Sequence, residues 1–227
     1  GSVCLGEEEL LALPESDMRR VRGGRMAMIF QEPATSLNPV LTIGVQIGEV
    51  LVQHSELSKA QARQRMIELL ALVGISDGAR RLDEFPYQLS GGMKQRVMIA
   101  MALAGAPEVL IADEPTTALD VTIQAQILDL MTKLQAERGM GILLITHDLG
   151  VIAEMADYVV VMYAGRIVEK GTSLEVFHNP QHPYTIGLMR SKPVINRSVD
   201  RLYSIPGTVP NPINMPNYCY FKDRCEH

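Results

Sequence analysis

The residues predict an α/β protein built on a parallel sheet, and three observations carry that prediction. Short apolar runs at 25–30, 109–112, 141–146 and 158–162 read as strands, with helical patterns between them. Polar groups follow three of these runs: Gln31, the Asp113-Glu114 pair and His147. In open α/β sheets, ligands bind at the carboxyl ends of the strands. A length of 227 residues with 47% hydrophobic side chains is enough for a sizeable core.

In chain order, residues 1–5 read as an edge strand and 7–22 as a polar connection with a short helical piece at 17–21. The strand at 25–30 ends at Gln31-Glu32-Pro33, and helices are expected at 43–54 and 58–73. The second is well signalled: Ser58 with Gln61 forms a capping box, Ala62, Met66, Leu69, Leu70 and Val73 share a face, and Gly74 stops it. These helices form an insertion before the sheet resumes. Ser90-Gly91-Gly92 then opens another helix, where free backbone N–H groups make an anion site. Ala106-Pro107 ends that helix, and 109–112 reads as a buried strand.

Beyond Asp120, the spacing of Ile123, Ile127, Leu130, Met131 and Leu134 predicts a helix stopped by Gly139. A second buried strand is expected at 141–146, a short helix at 149–156, and a strand at 158–162 that Ala164-Gly165 turns into 166–169. Past Gly171 come Pro180, Pro183, Pro193, Pro206, Pro210, Pro212 and Pro216, which read as a surface appendage and not a second core.

A net charge of −5 without a basic run argues against nucleic acid as the main partner. No apolar run approaches the roughly 18 residues of a membrane span. A soluble intracellular protein is expected. The three cysteines are too few for a disulfide framework. The opening Gly1-Ser2-Val3 falls in what reads as a strand, so a fragment is expected.

The strand-end residues have complementary chemistry. Asp113 suits Mg²⁺, Glu114 suits a general base that polarises water, and Gln31 and His147 suit the positioning of water and a terminal phosphate. Each alone is an ordinary strand-end or loop residue. Their corresponding positions on three strands make chance a poor explanation.

At this point the chain resembles the ATP-binding subunits of ABC transporters. LSGGMKQR at 89–96 is similar to the signature motif, VLIADE at 109–114 to the Walker B strand with its Glu, and TALD at 117–120 to the D-loop. Gln31 matches the Q-loop and His147 the H-switch. IFQEPATSLNPVLTIG at 29–44, ADEPTTALDVTIQAQIL at 112–128 and HPYTIGL at 182–188 look like the dipeptide, oligopeptide and nickel import ATPases.

The resemblance implies a P-loop NTPase (RecA-like) parallel-sheet core with a helical signature subdomain at about 40–105. The ATPase domain would span 1–178 and a Pro-rich extension 179–227. It implies ATP and Mg²⁺ as cofactors, with Glu114, His147 and Gln31 catalytic and Asp113 with Gln31 holding the metal. Ser90, Gly91, Gly92, Gln95 and Asp120 would meet ATP bound to a partner ATPase, most simply a second, different ABC subunit. Two membrane-spanning permease subunits and, indirectly, an extracytoplasmic substrate-binding protein complete the expected partners. The expected place is the cytoplasmic face of the inner membrane, as a peripheral subunit. Peptides, nickel or glutathione remain open as cargo.

One motif is missing. These residues contain no G-x-x-x-x-G-K-[ST], the phosphate cradle called Walker A. In the family it precedes the strand with which this chain opens, so its strand, loop and helix are expected to be absent and to leave a gap between the strands at 141–146 and 158–162. The 227 residues alone are expected to bind ATP weakly and to be inactive. The alternative is a naturally shortened, non-hydrolysing partner that lends only its signature motif to a sister ATPase. Cys219 and Cys225 resemble an element that in some members carries an iron–sulfur cluster. Two thiolates, even with His227, fall short of four ligands, so free thiols are expected.

Overall fold

The computed structural model describes residues 1–117, 119–191, 203–211, 213–215 and 217–226, with the side chains of 33 and 34 left aside. Ala118 of the TALD stretch, Pro193, Pro212, Pro216 and His227 lie outside the described residues. The chain divides into two compact units, Gly1–Ile145 and Thr146–His227.

In the first unit, β1 (Cys4–Leu5) and β2 (Glu8–Glu9) form a two-stranded antiparallel hairpin, shorter than the edge strand expected at 1–5. Next come α1 (Glu15–Val21), β3 (Met26–Ile29), α2 (Pro33–Ser36), α3 (Ile43–His54), α4 (Lys59–Leu72) and α5 (Gly78–Arg81). They are followed by α6 (Gly91–Ala104), β4 (Val109–Asp113), α7 (Val121–Arg138) and β5 (Gly141–Ile145). The starts and stops obey the chemistry of their ends. Thr42 caps α3, Ser58 and Gln61 close the expected capping box on α4, and Gly139 ends α7 in left-handed backbone. Ala106 also takes a left-handed φ of 54°, which turns the chain from α6 toward β4.

Strands β3, β4 and β5 form one parallel sheet in that order, as the α/β reading requires. Its two faces differ. Ala27, Ile29, Leu110 and Ala112 are buried, with α6 packed beside β3. On the other face Met28, Leu143 and Ile145 are exposed, Leu143 by 55%. This corrects the expectation of a fully buried strand at 141–146. The physical reason is that, among the described residues, β5 is hydrogen-bonded on its β4 side only, as the edge of its sheet.

Helix α6 is the pivot of this unit. Eight of its residues are buried, from Gln95 to Ala104, and it packs against α2, α3, α4 and β3. Gln46 of α3, also buried, donates to the carbonyls of Asn38 and Leu41 and accepts from the Asn38 N–H at 2.8 Å. That network ties the segment after Gln31 to α3 and leaves no amide atom of Gln46 without a partner. At the amino end of β4, Arg25 donates to Glu108 at 2.5 Å and holds its carboxyl below the usual range.

The second unit holds α8 (Leu149–Met155), β6 (Tyr158–Tyr163), β7 (Arg166–Thr172), α9 (Ser173–His178) and α10 (Pro183–Ser191). Strands β6 and β7 are an antiparallel hairpin closed by Ala164 and Gly165, both at positive φ as a two-residue turn of this hand demands. The tail departs from the expected surface appendage. Phe221 is 2% exposed and Tyr163 3%, and their rings meet edge-on at 5.2 Å, with Tyr184 and His182 also against Phe221. Arg224 donates to the carbonyls of Pro206 and Ile205 and to the Tyr163 hydroxyl. The aromatic content of 182–184 and 218–221 outweighs the prolines, and burying it builds a local core.

Candidate functional site

The site follows from strand register. Ile29 of β3 pairs with Ala112 of β4, so the residues two places further on, Gln31 and Glu114, come side by side beyond the sheet. Gln31 Nε2 donates to Glu114 Oε2 at 2.8 Å. The Thr117 hydroxyl donates to the same oxygen at 2.9 Å. Glu114 is at φ 44°, left-handed backbone that costs a side-chain-bearing residue about 1 kcal/mol. Its N–H donates to Ile145 O of β5 at 2.8 Å, and its carbonyl accepts from Thr117 N–H at 3.1 Å. The fold therefore bends the chain sharply after Asp113 and brings the Gln31 amide and the Thr117 hydroxyl onto the Glu114 carboxylate.

Asp113 is the last residue of β4 and half-buried, and no hydrogen bond engages its carboxylate among the described residues. It is free to take a cation. Among the described residues no group of three or more His, Cys, Asp or Glu could hold a metal ion by itself. One protein carboxylate with oxygens from a bound phosphate is a normal way to hold Mg²⁺, so the Asp113 carboxylate fits such an ion.

The signature stretch divides. Ser90 caps α6, its hydroxyl accepting from Met93 N–H at 3.3 Å, and Ser90 and Gly91 are exposed with open space where a Gly91 Cβ would stand. Gly92 is a packing glycine: a Cβ there would come 3.0 Å from Ile123 on α7, so the amino end of α6 and the first turn of α7 touch. Asp120 caps α7, with Oδ1 accepting from Ile123 N–H at 3.0 Å. Gln95, grouped with the signature residues as an ATP contact, is only 1% exposed and donates to Pro115 O. Burial takes its amide away from any partner subunit.

His147, two residues past β5, is the second residue of the second unit and is exposed, and its neighbour Asp148 caps α8 through the N–H groups of Gly150 and Val151. Cys219 and Cys225 are free thiols, and Cys219 Sγ stands 4.0 Å from His182 Nε2. Burial pushes the His182 imidazole below the usual histidine range, against the pull of Glu169. Sequence reasoning missed Thr117 as a holder of Glu114 and the role of Gln95. The Thr116-Thr117 pair straight after the acids was the signal for the first; the second has none, because a polar residue inside a helix does not show which way it faces.

Comparison with known proteins identifies the family. The family described as ABC transporter matches residues 1–117, and the oligopeptide/dipeptide transporter C-terminal region matches 168–227. The oligopeptide transport ATP-binding protein AppD of Bacillus subtilis is 55% identical over 225 residues, covering 99% of this chain and 69% of that protein. A Brucella ovis protein named as a peptide import ATP-binding protein is 58% identical over 223 residues, covering 96% of this chain. The chain spans 66% of the length of that relative. Among solved structures, the dimeric bacterial ABC transporter cassette MJ0796 superposes with a TM-score of 0.67 at 29% identity, covering 76% of this chain and 73% of that one. CbiO1 of Clostridium perfringens, part of the cbiONQ transporter complex, gives 0.61 at 31% identity, covering 72% and 62%. The chain therefore belongs to the ATP-binding subunits of ABC transporters, in the branch that carries the oligopeptide/dipeptide transporter C-terminal region.

Proposed function

We propose that the chain is the ATP-hydrolysing subunit that powers import of peptides, or of nickel, across the cytoplasmic membrane. The observation that carries this reading is the Glu114 carboxylate held at one oxygen by Gln31 and Thr117 at the carboxyl end of the sheet. Bound Mg-ATP supplies the phosphoanhydride bond and a metal that neutralises phosphate charge. Glu114 accepts the proton of the attacking water, Gln31 and His147 position that water and the terminal phosphate, and Asp113 with Gln31 holds the metal.

Ser90, Gly91 and Gly92 face the ATP of a second ABC subunit, and Asp120 lies at the same seam. The exposure of Ser90 and Gly91 at a capped helix end supports that assignment. The ATPase domain runs through 178 and the extension through 179–227. The subunit works at the inner face of the membrane with a different sister ATPase, two permease subunits and an extracytoplasmic binding protein that selects the cargo.

Since no G-x-x-x-x-G-K-[ST] stands in the 227 residues, the chain alone binds Mg-ATP weakly. Isothermal titration of the chain with Mg-ATP should give no saturating heat in the micromolar range, and a micromolar affinity would overturn this. The reading itself is tested by ATP hydrolysis and labelled-peptide uptake in vesicles carrying the reconstituted transporter, both of which should vanish when this subunit is left out.

A further inference from the structure

From the buried hydrogen bond between α6 and the turn after β4, we propose that Gln95 is a positioning residue that fixes the backbone of Glu114 from α6. The inference rests on the hydrolytic role given to Glu114 above. Three observations converge on it. First, Gln95 Nε2 donates to Pro115 O at 2.5 Å, with both residues buried. The acceptor is a carbonyl, so only the amide nitrogen can face it. Second, the turn is anchored from two sides. Glu114 N–H is held by Ile145 O of β5, and the carbonyl of the next residue is held by α6. Third, Glu114 sits between those anchors in left-handed backbone, a conformation that persists only where its surroundings impose it.

The same helix begins at Ser90-Gly91-Gly92, one turn before Gln95. A helix moves as a body. Any displacement of its amino end on meeting an anion therefore reaches Pro115 O through Gln95 and re-aims Glu114. Arg96, next on α6, donates to Val73 O at the end of α4 at 2.6 Å and to Gln126 of α7 at 2.8 Å. Helix α6 is thus keyed to the helices around it by side chains next to the one that holds the turn. A buried glutamine whose only function was to fill space would be replaceable by methionine, which has almost the same shape. A positioning role makes that exchange damaging to catalysis.

The test compares Gln95→Met, Gln95→Glu and Ile99→Val in the reconstituted transporter. Ile99 is fully buried on α6, so its variant loosens the same helix and leaves the Gln95 amide that donates to Pro115 in place. Gln95→Met should lower kcat about tenfold, the usual scale for one lost buried hydrogen bond, with KM for ATP unchanged. Gln95→Glu, whose carboxylate repels the carbonyl, should fall further, and Ile99→Val should keep kcat. In hydrogen exchange of the chain itself, Gln95→Met should speed the amides of Glu114 and Thr117 at least about tenfold while those in the middle of α6 hold. Unchanged kcat and unchanged exchange in Gln95→Met overturn the inference. A wild-type complex that hydrolyses no ATP overturns the proposed function instead, and the exchange result still decides whether Gln95 fixes the turn.

Discussion

Glu114 is bent into left-handed backbone and then held at a single carboxylate oxygen by Gln31 and Thr117. Both of these holders are neutral donors, and they fix the direction in which that oxygen points. Two predictions belong at this scale. Glu114→Gln keeps the shape and removes the base, so ATP turnover by the assembled complex should fall about 10² to 10⁴-fold while nucleotide affinity of the complex holds; steady-state hydrolysis and equilibrium binding measure the two. Thr117→Val removes one donor and should lower kcat about tenfold with little change in melting temperature, measured in the same assay and by calorimetry. The acids and Gln31 were legible in the sequence because polar residues ending apolar runs are conspicuous. Gln95 was not, since a hydrogen bond 20 residues across the chain leaves no periodic trace, whereas Thr117, three residues past Glu114, was signalled by the Thr116-Thr117 pair and overlooked.

Among the elements, capping chemistry made α3, α4 and α7 readable to within a residue or two, since Thr42, Ser58 and Gly139 mark their ends. The C-terminal stretch was misjudged because prolines advertise loops, whereas three well-spaced aromatics build a core that only the fold brings together. Phe221→Ala should destabilise the Thr146–His227 unit by about 3 to 5 kcal/mol, seen as a lower urea midpoint and as loss of exchange protection in β6 and β7.

The same unit should respond to pH. Burial holds His182 below its ordinary value of 6.5 in the folded chain, so on acidification the unfolded chain takes up the proton first. The stability that follows is full above about pH 6.5 and is lost as pH falls through the lowered folded value. Glu169 adds a loss of the same sign below its ordinary 4.5: burial alone would raise it, but the Thr185 side chain and the N–H groups of Gln181 and His182 together lower it. Urea midpoints should therefore fall between about pH 7 and pH 5.5, and His182→Gln should remove most of that slope.

For the whole molecule, the parallel sheet and the placing of Gln31 and Glu114 at its carboxyl edge follow from alternating apolar runs, and the register of β3 on β4 turns that pattern into the contact between them. The open face of the sheet was not legible. Leu143 and Ile145 read as core because they are apolar, and their exposure depends on what lies beside β5. The chain brings the Glu114 and Asp113 carboxylates and an exposed, capped helix end to one unit, and the phosphate cradle is not among its motifs.

The most direct measurement is ATP hydrolysis by a reconstituted transporter in which these 227 residues are joined to a phosphate cradle, with Glu114→Gln alongside the wild type. Peptide-dependent hydrolysis that collapses in the variant is the expected result. Equal hydrolysis with Glu114→Gln, at equal assembly, would contradict the role given to this site.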